Sequence, residues 1–246
     1  MEHMVQCCFR RYEKKYFVTP AQQRTLLDGI SAHMRKDDYG QYTICSIYYD
    51  TDDWRLIRAS LEKPEYKEKL RVRSYGVPED DGRVFVELKK KYKGVVYKRR
   101  ITVKAWETEA LLSGKMETAE QIGREIQWFQ RFYGAKPKVF IAYDRLAFAG
   151  IEEPELRLTM DSSIRWRTDE LDLRKGDWGE RLIPDDRILM EIKFPGACPM
   201  WLSRLLSDTG VFPTSFSKYG TCYREHILPE TAEKRKEYYK EAFLSA

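Results

Sequence analysis

Glu191 and Lys193 lie two residues apart within the segment LMEIKF. Residues two apart in a strand point to the same face, so this acid and this base share one side of the strand. The apolar residues of the segment occupy the other side, which is typical of a strand packed on a core. An acid beside a base on such a strand could bind a metal ion and an anion, or the two could simply pair in solvent.

The same alternation of charged and apolar residues recurs in at least six predicted strands. Arg71 and Arg73 are separated by Val72, and Glu87 and Lys89 alternate with valine and leucine. Each charged face taken alone is most simply explained as a solvent face. Because so many of these faces are rich in Arg and Lys, we expect them to line a closed sheet as a basic tunnel. The other charged-face residues are Glu13, Lys15, Lys91, Tyr143, Arg145, Arg157, Thr159 and Asp161.

A basic tunnel predicts a polyanionic ligand. Burying many cations is costly unless an anion neutralises them. Arg binds phosphate oxygens with two parallel hydrogen bonds and Lys acts as a point charge, so a triphosphate or a phosphate chain fits. Glu87 and Glu191 would repel phosphate, but they become useful if they hold Mg²⁺ or Mn²⁺ bridging phosphate oxygens. The alternative is that both glutamates only pair with their basic neighbours.

The predicted elements are mostly strands, connected by polar turns and covered by a few helices. Thr19 followed by Pro20 predicts the start of a helix. Residues 172–186 form a longer polar loop, and nothing marks a domain boundary, so we expect a single domain over residues 1–246. Further helices are predicted at residues 105–114, 118–133, 199–208, 216–227 and from about 230. Eight segments rich in β-branched and aromatic residues predict strands at 10–18, 41–50, 67–76, 83–92, 95–103, 138–148, 155–163 and 187–194.

Composition excludes several classes of protein. The chain has 246 residues, a net charge of +5, five cysteines and three histidines. The cysteines show no CxxC spacing, which argues against a zinc site and favours reduced thiols in the cytoplasm. No apolar run approaches the roughly 20 residues of a spanning helix, and the N-terminus lacks a signal peptide. We therefore expect a soluble cytoplasmic protein.

Eight short motifs together carry a family resemblance. The chain resembles the VTC domain, the polyphosphate polymerase domain of the vacuolar transporter chaperone family, within the triphosphate tunnel (CYTH-like) superfamily. The match runs from about residue 10 to residue 225 and is carried, in order, by RYEKKYFV, SIYYD, LRVRSYG, VFVELKKKYKGVVYKRR, YDRLAF, LRLTMD, LMEIKF and SFSKYG. Each motif alone is weakly specific, whereas eight in the right order are fairly specific.

The resemblance implies a fold, a reaction and a set of site residues. The fold is α+β, an eight-stranded antiparallel tunnel barrel with flanking helices. The reaction is metal-dependent transfer of the γ-phosphate of ATP onto a growing polyphosphate chain, with Mn²⁺ or Mg²⁺ and release of ADP. Glu191 matches the metal-binding glutamate, and Lys98 and Lys218 match further basic residues of the site. The basic residues that would neutralise the transferring phosphate are Lys15, Arg71, Arg73, Lys89, Arg145 and Arg157.

Four more residues are predicted to belong to the site. Tyr143, Lys193 and Ser217 are candidate phosphate- or nucleotide-binding residues, and Glu87 is a second candidate metal ligand. Because charge comes from nearly every strand, we expect ATP at one end of the tunnel and polymer at the other, with processive synthesis. The expected partners are ATP and polyphosphate.

One departure from the family pattern bears on the reaction. The wider superfamily begins with Glu-x-Glu-x-Lys, but Arg11 stands at the first position here, leaving Glu13 and Lys15. Loss of one carboxylate favours the polymerase over a hydrolase. A tunnel triphosphatase or polyphosphatase and a non-catalytic polyphosphate-binding module remain alternatives.

The remaining partners are only partly constrained. Nucleic-acid binding is disfavoured, because the basic residues alternate with apolar ones and do not cluster on a helix or loop. The sequence carries neither a phosphate-sensing domain nor a membrane span. The need for a separate membrane subunit and the oligomeric state stay open.

Overall fold

A single antiparallel sheet forms the centre of the computed structural model, which describes residues 11–231. The strand order is β10-β1-β9-β7-β6-β2-β3-β4-β5, and β8 pairs with β7. All eight predicted strands are present, and β8 and β10 are two short additions. The strands are β1 (Arg11–Val18), β2 (Met34–Asp50), β3 (Tyr66–Tyr75), β4 (Arg83–Tyr92), β5 (Val95–Lys104), β6 (Lys136–Gly150), β7 (Arg157–Arg167), β8 (Glu180–Arg181), β9 (Ile188–Pro195) and β10 (Pro213–Thr214).

The sheet curls into a barrel that hydrogen bonds do not close. Side chains of β1 and β4, far apart in strand order, line the same cavity. Among the described residues, however, β5 and β10 each pair on one side only. The prediction of a closed eight-stranded barrel is corrected in this respect. The two edge strands explain why the barrel stays open. Strand β10 has only two residues, and one of them, Pro213, has no backbone N–H to donate. Strand β5 carries three consecutive cations from Lys98 to Arg100, which disfavour pairing with another strand.

Helices cover the outer face of the sheet and fill one end of its interior. The predicted helices are found with adjusted ends, and the predicted tail beyond about residue 230 falls largely outside the described residues. One further α-helix, α2, was not predicted. The helices are α1 (Pro20–Ile30), α2 (Arg55–Leu61), α3 (Thr108–Leu112), α4 (Gln121–Tyr133), α5 (Met200–Asp208) and α6 (Lys218–Cys222), which continues as a π-helical turn, Tyr223–Ile227.

Helix α2 depends on the carboxylate of Asp50. The two carboxylate oxygens accept hydrogen bonds from the backbone N–H groups of Leu56 and Ile57, each at 2.9 Å. Tyr219 of α6 donates its hydroxyl to the same carboxylate at 2.8 Å. Asp50 therefore satisfies N–H groups at the start of α2 and ties this helix to α6.

Two hydrophobic cores lie between the outer face of the sheet and the helices. In the first, residues of β2–β5 such as Val72, Val86 and Leu88 pack with Ile126 and Phe129 of α4. In the second, strands β1, β7 and β9 pack against α1 and α5 through side chains that include Tyr16, Leu158, Ile192, Leu26 and Leu202. The prediction that the apolar faces point outward under the helices is confirmed.

The inner face changes character along its length. On β6, Val139 and Ile141 share a face with Tyr143 and Arg145, and the two aliphatic residues are fully buried. They belong to a third core that fills one end of the barrel with α2, α6 and the π-helical turn. Its helical members are Ile57, Tyr219, Cys222, Tyr223 and Ile227. The polar residues are thereby confined to a belt across the rest of the interior. Among the described residues, no helix has the length and hydropathy needed to cross a membrane.

Candidate functional site

A cavity of about 210 Å³ lies inside the sheet and is lined by the predicted charged faces. Its lining includes eight basic side chains from five strands and one helix, and two acidic ones. The basic residues are Lys15, Lys69, Arg71, Arg73, Lys89, Arg145, Lys193 and Lys218. The prediction that Arg71 and Arg73 both face this interior is confirmed, since Val72 between them packs in the outer core. The cavity therefore has the excess of positive charge that a polyanion requires.

Asp161 organises one wall of this cavity. Arg145, directly opposite on β6, donates two hydrogen bonds to its carboxylate at 2.6 and 2.8 Å. Lys218 donates a third at 2.6 Å. Burial alone would raise the pKa of Asp161, but Lys218 and Arg145 lower it overall, so the carboxylate stays charged. This fully buried acid fixes the position of two cations that the sequence assigned to the site.

Glu87 holds a second group of cations. Arg71 and Arg100 each donate through Nε at 2.7 Å, and Lys98 Nζ lies 2.8 Å from the same carboxylate. Burial opposes the charged form of Glu87, yet Arg71, Arg73 and Lys98 lower its pKa well below the usual range. Both oxygens are thus occupied by tight ionic hydrogen bonds. The geometry favours the ion-pairing role for Glu87 over the metal-binding one.

Glu13 and Glu191 are held more loosely on the opposite wall. In the β1–β9 ladder Lys15 lies opposite Glu191, and Glu13 lies opposite Lys193. The closest cation to each carboxylate is Lys15 Nζ, at 3.6 Å from Glu13 and 3.4 Å from Glu191. Burial raises the pKa of Glu191, but Lys218, Lys15 and Lys193 together lower it to about 2. Both glutamates lie within ion-pair distance of the same two lysines without a short hydrogen bond to either.

This pair of glutamates fits a divalent cation better than Glu87 does. Mg²⁺ and Mn²⁺ prefer carboxylate oxygens, and Mg²⁺ usually takes one or two of them together with water and phosphate. Within residues 11–231, no three Asp, Glu, His or Cys side chains meet to hold a metal on their own. A cation at Glu13 and Glu191 would therefore need phosphate oxygens and water as its other ligands.

Aromatic rings separate the ionic groups of the cavity. Tyr143 accepts a hydrogen bond from Arg73 at 3.0 Å, and Lys218 Nζ lies 4.3 Å from the centre of its ring. Tyr48 stacks on Tyr219 with ring centres 4.6 Å apart and accepts from Arg71 at 3.4 Å. The rings keep the cations in fixed positions without adding negative charge.

The cavity continues in two directions. On one side it shares Glu191 and Lys193 with a cavity of about 230 Å³ that is also lined by Arg157 and Asp37. On the other side it meets a larger cavity of about 770 Å³, between the unpaired strand edges. The two cavities share Lys15, Lys69 and Lys89, and the larger one is lined by three further lysines, Lys14, Lys67 and Lys91. The three spaces are adjacent, as a tunnel requires.

The part of the chain that matches known proteins is nearly the same as the part that forms the described fold. Residues 10–226 match the family model of the VTC domain. This chain belongs to the VTC domain family. It is 26% identical over 252 residues to vacuolar transporter chaperone complex subunit 4 of Schizosaccharomyces pombe. That alignment covers 81% of this chain and 35% of the relative, so the chain spans about a third of the relative's length.

The architecture of this VTC domain also resembles a solved structure. A proposed adenylate cyclase from Bacillus halodurans superposes with a TM-score of 0.51 at 15% identity, covering 86% of this chain and 96% of that one. At this identity the likeness concerns the fold alone. The fold is of the triphosphate-tunnel type that the motifs implied.

Most of the predicted site residues of the VTC domain meet in or beside the central cavity. Ser217 and Tyr143 line it, and Ser217 also caps α6 by accepting from the N–H of Gly220 at 3.2 Å. Arg157 lies outside it, exposed and opposite Lys193 in the β7–β9 ladder. Lys98 is half-exposed on the edge strand and reaches the site through Glu87.

Sequence reasoning missed several residues of this site. Lys69 lies two positions before Arg71, and Tyr48 lies on the same face of β2 as Ser46, so period-two alternation could have assigned both to the interior. Arg100 was also missed, because its pairing with Glu87 depends on the register between β4 and β5. The structural role of Asp161 required the position of Lys218, 57 residues later.

Proposed function

We propose that this VTC domain is a polyphosphate polymerase that transfers the γ-phosphate of ATP to the end of a polyphosphate chain. The observation that carries the proposal is that eight basic side chains and only two acidic ones line the central cavity. Such a cavity neutralises a phosphate chain, and apart from three tyrosine rings it offers little apolar surface for an uncharged substrate. Family membership supports the same assignment.

The reaction needs alignment more than acid–base chemistry. The bond from the γ-phosphorus to the β–γ bridging oxygen breaks, and a bond forms from that phosphorus to a terminal oxygen of the polyphosphate acceptor. ADP leaves with the bridging oxygen. Because the acceptor oxygen is already ionised, no protein group has to remove a proton. Histidine is accordingly not required, and the cavity lining contains none.

Basic residues would stabilise the charge on the transferring oxygens. Arg145 and Lys218 are fixed by Asp161, and Arg71 is fixed by Glu87, so these groups are already in place before substrate binds. Preorganised donors of this kind stabilise a transition state without having to reorient during the reaction. Arg73 makes no ion pair with a carboxylate among the described residues and donates to Ser46 and Tyr143, so its remaining N–H groups would bind phosphate oxygens directly.

Glu13 and Glu191 would hold Mn²⁺ or Mg²⁺. When bound, the cation would neutralise charge on the phosphate groups of the nucleotide. The loose contacts of both glutamates, at 3.4 Å or longer, leave their oxygens accessible to a cation. Lys15 and Lys193 would then contact phosphate in place of the glutamates.

The experiment that tests the proposal is a product analysis. The purified chain is incubated with ATP, a short polyphosphate primer and either Mn²⁺ or Mg²⁺, and products are separated on a gel stained for polyphosphate. Chain growth with release of ADP supports the polymerase. Orthophosphate without polymer would instead assign a triphosphatase, and binding without nucleotide turnover would assign a polyphosphate-binding module. Lys115→Ala is the matched control, because Lys115 is exposed and lies outside these cavities.

Partners and location form a separate part of the proposal. The matched relative is by name a subunit of a vacuolar transporter chaperone complex. We infer that this domain works on the cytoplasmic side of a membrane with a separate membrane subunit. Co-purification of the tagged chain with membrane proteins tests this, and recovery of the chain entirely without such a partner would contradict it.

A further inference from the structure

Lys69 differs from most cations of the cavity in having no acidic partner. Its side chain lies on the same face of β3 as those of Arg71 and Arg73 and lines the central cavity. Within residues 11–231, no carboxylate lies within ion-pair distance of its ammonium group. Its neighbour across the β3–β4 ladder is Lys89, which also lacks a carboxylate partner in that part of the chain.

The surroundings of Lys69 make its charge unfavourable in the absence of an anion. Burial lowers its pKa, Tyr48 opposes that effect, and Lys67, Lys89 and Lys15 lower it further, to about 8. The aromatic ring of Tyr219, 6.0 Å from the ammonium group, compensates only weakly. A partly buried cation among other cations is a cost to the fold unless a ligand supplies the missing negative charge.

The position of Lys69 indicates which part of a ligand it would contact. It lines both the central cavity and the larger lysine-lined cavity, together with Glu13, Lys15, Lys89 and Ser217. The candidate metal ligands come from other strands: Glu13 lines the junction from β1, whereas Glu191 of β9 lines the central cavity but not the larger one. A phosphate chain passing between the two cavities would run past Lys69, where the inward carboxylate of β4, that of Glu87, is already held by Arg71, Lys98 and Arg100 and leaves Lys69 without a counter-charge.

We propose that Lys69 is a phosphate-binding residue that contacts the chain directly, without a metal ion, at the junction of the two cavities. The inference rests on the proposed function, since it takes the ligand of the cavity to be a phosphate chain. It adds a residue and a metal-independent contact to that function. It also implies that the fold tolerates an unfavourable charge at this position for the sake of binding.

Calorimetric titration of the full chain with tripolyphosphate in the presence of EDTA tests the proposal. Lys69→Met should weaken binding at least about tenfold, because one charge-assisted hydrogen bond is lost. Lys69→Arg should retain most of the affinity, since it keeps the charge. Lys115→Met is the matched control and should bind like the wild type. Thermal unfolding without ligand should show that Lys69→Met is as stable as the wild type or more stable, because an uncompensated charge is removed.

The outcomes separate this inference from the proposed function. Wild-type affinity in Lys69→Met overturns the inference and leaves the proposed function standing. A variant that loses both stability and binding, or that does not fold, assigns Lys69 a structural role and also overturns it. If the wild-type chain binds no tripolyphosphate, the proposed function fails and the inference fails with it.

Discussion

Asp161 accepts two hydrogen bonds from the guanidinium group of Arg145, at 2.6 and 2.8 Å, across the β6–β7 ladder. The carboxylate is fully buried and binds Lys218 as well. One acid therefore positions two of the cations that line the central cavity. The cations that we propose to bind phosphate are distinct from the acid that holds them in place, so the two roles can be tested independently.

Asp161→Asn should destabilise the fold and weaken phosphate binding. Removing one member of a buried ion pair costs about 3–5 kcal/mol, because the remaining charge is left uncompensated. The folded-state pKa of Asp161 is lowered, so its contribution to stability is present above the ordinary Asp range and is lost as pH falls through the folded pKa. Urea unfolding of wild type and variant across acidic pH measures this, and equal stability at neutral pH would contradict it.

Glu191→Gln should abolish metal-dependent turnover while leaving the fold intact. The glutamate makes ion pairs of 3.4 Å or longer and no short hydrogen bond in the described residues, so the isosteric amide can occupy the same place. Because the neighbouring cations lower the pKa of Glu191, loss of its charge should reduce stability without unfolding the chain. Mn²⁺ titrations of activity and circular dichroism together measure the effect. Glu13→Gln should act in the same direction. Full activity of Glu191→Gln in Mn²⁺ would show that the metal assignment is wrong.

Glu87→Gln serves as the comparison for the metal assignment. Its carboxylate holds Arg71, Lys98 and Arg100, so we expect lower stability and misplaced cations instead of a changed metal requirement. The Mn²⁺ concentration that gives half-maximal activity should stay near the wild-type value. A large shift in that concentration would restore Glu87 as a metal ligand.

Arg73→Ala should weaken tripolyphosphate binding by about 1.5–3 kcal/mol, the scale of a hydrogen bond to a charged group. Arg73 donates to Ser46 at 3.1 Å and to Tyr143 at 3.0 Å, and no carboxylate of the described residues lies within ion-pair distance of it. Its charge is therefore available to the ligand. Calorimetry with tripolyphosphate measures the loss. Unchanged affinity in a folded Arg73→Ala variant would remove this residue from the site.

Tyr48 should report occupancy of the cavity. Burial raises its pKa, but Arg71, Arg73 and Lys69 lower it to about 8, so tyrosinate absorbance should appear as pH rises through that value. Tyr48→Phe should lack this step, whereas its stacking partner Tyr219 has a pKa raised well above the usual value and does not interfere. Bound tripolyphosphate adds negative charge and should move the step to higher pH. A step that tripolyphosphate does not move would place the ligand elsewhere.

The face of a strand on which each side chain lies could be predicted from the sequence. Side chains alternate strictly along a strand, so Arg71, Val72 and Arg73 had to divide between two faces. Only the assignment of the charged face to the interior needed an argument, and the number of Arg- and Lys-rich strands supplied it. The same rule would have assigned Lys69 to the interior.

Contacts between distant segments could not be predicted in this way. Helix α2 was missed because its N–H groups are satisfied by Asp50, which precedes the helix and is itself held by Tyr219 of α6. The gap between β5 and β10 was missed because strand composition does not specify whether two edges meet. The filling of one end of the barrel by α6 depended on packing across the whole interior.

The sequence by itself determined the strands, their two faces and most of the cations that face inward, because these follow from local periodicity. Only the tertiary structure decided which acid holds which cation. Glu87 lies within reach of Arg71 and Arg100 only in the register that β3, β4 and β5 adopt, whereas Glu191 faces Lys15 across a different ladder. Ion pairing acts over a few ångströms in space, and the distance between two residues along the chain does not specify that separation.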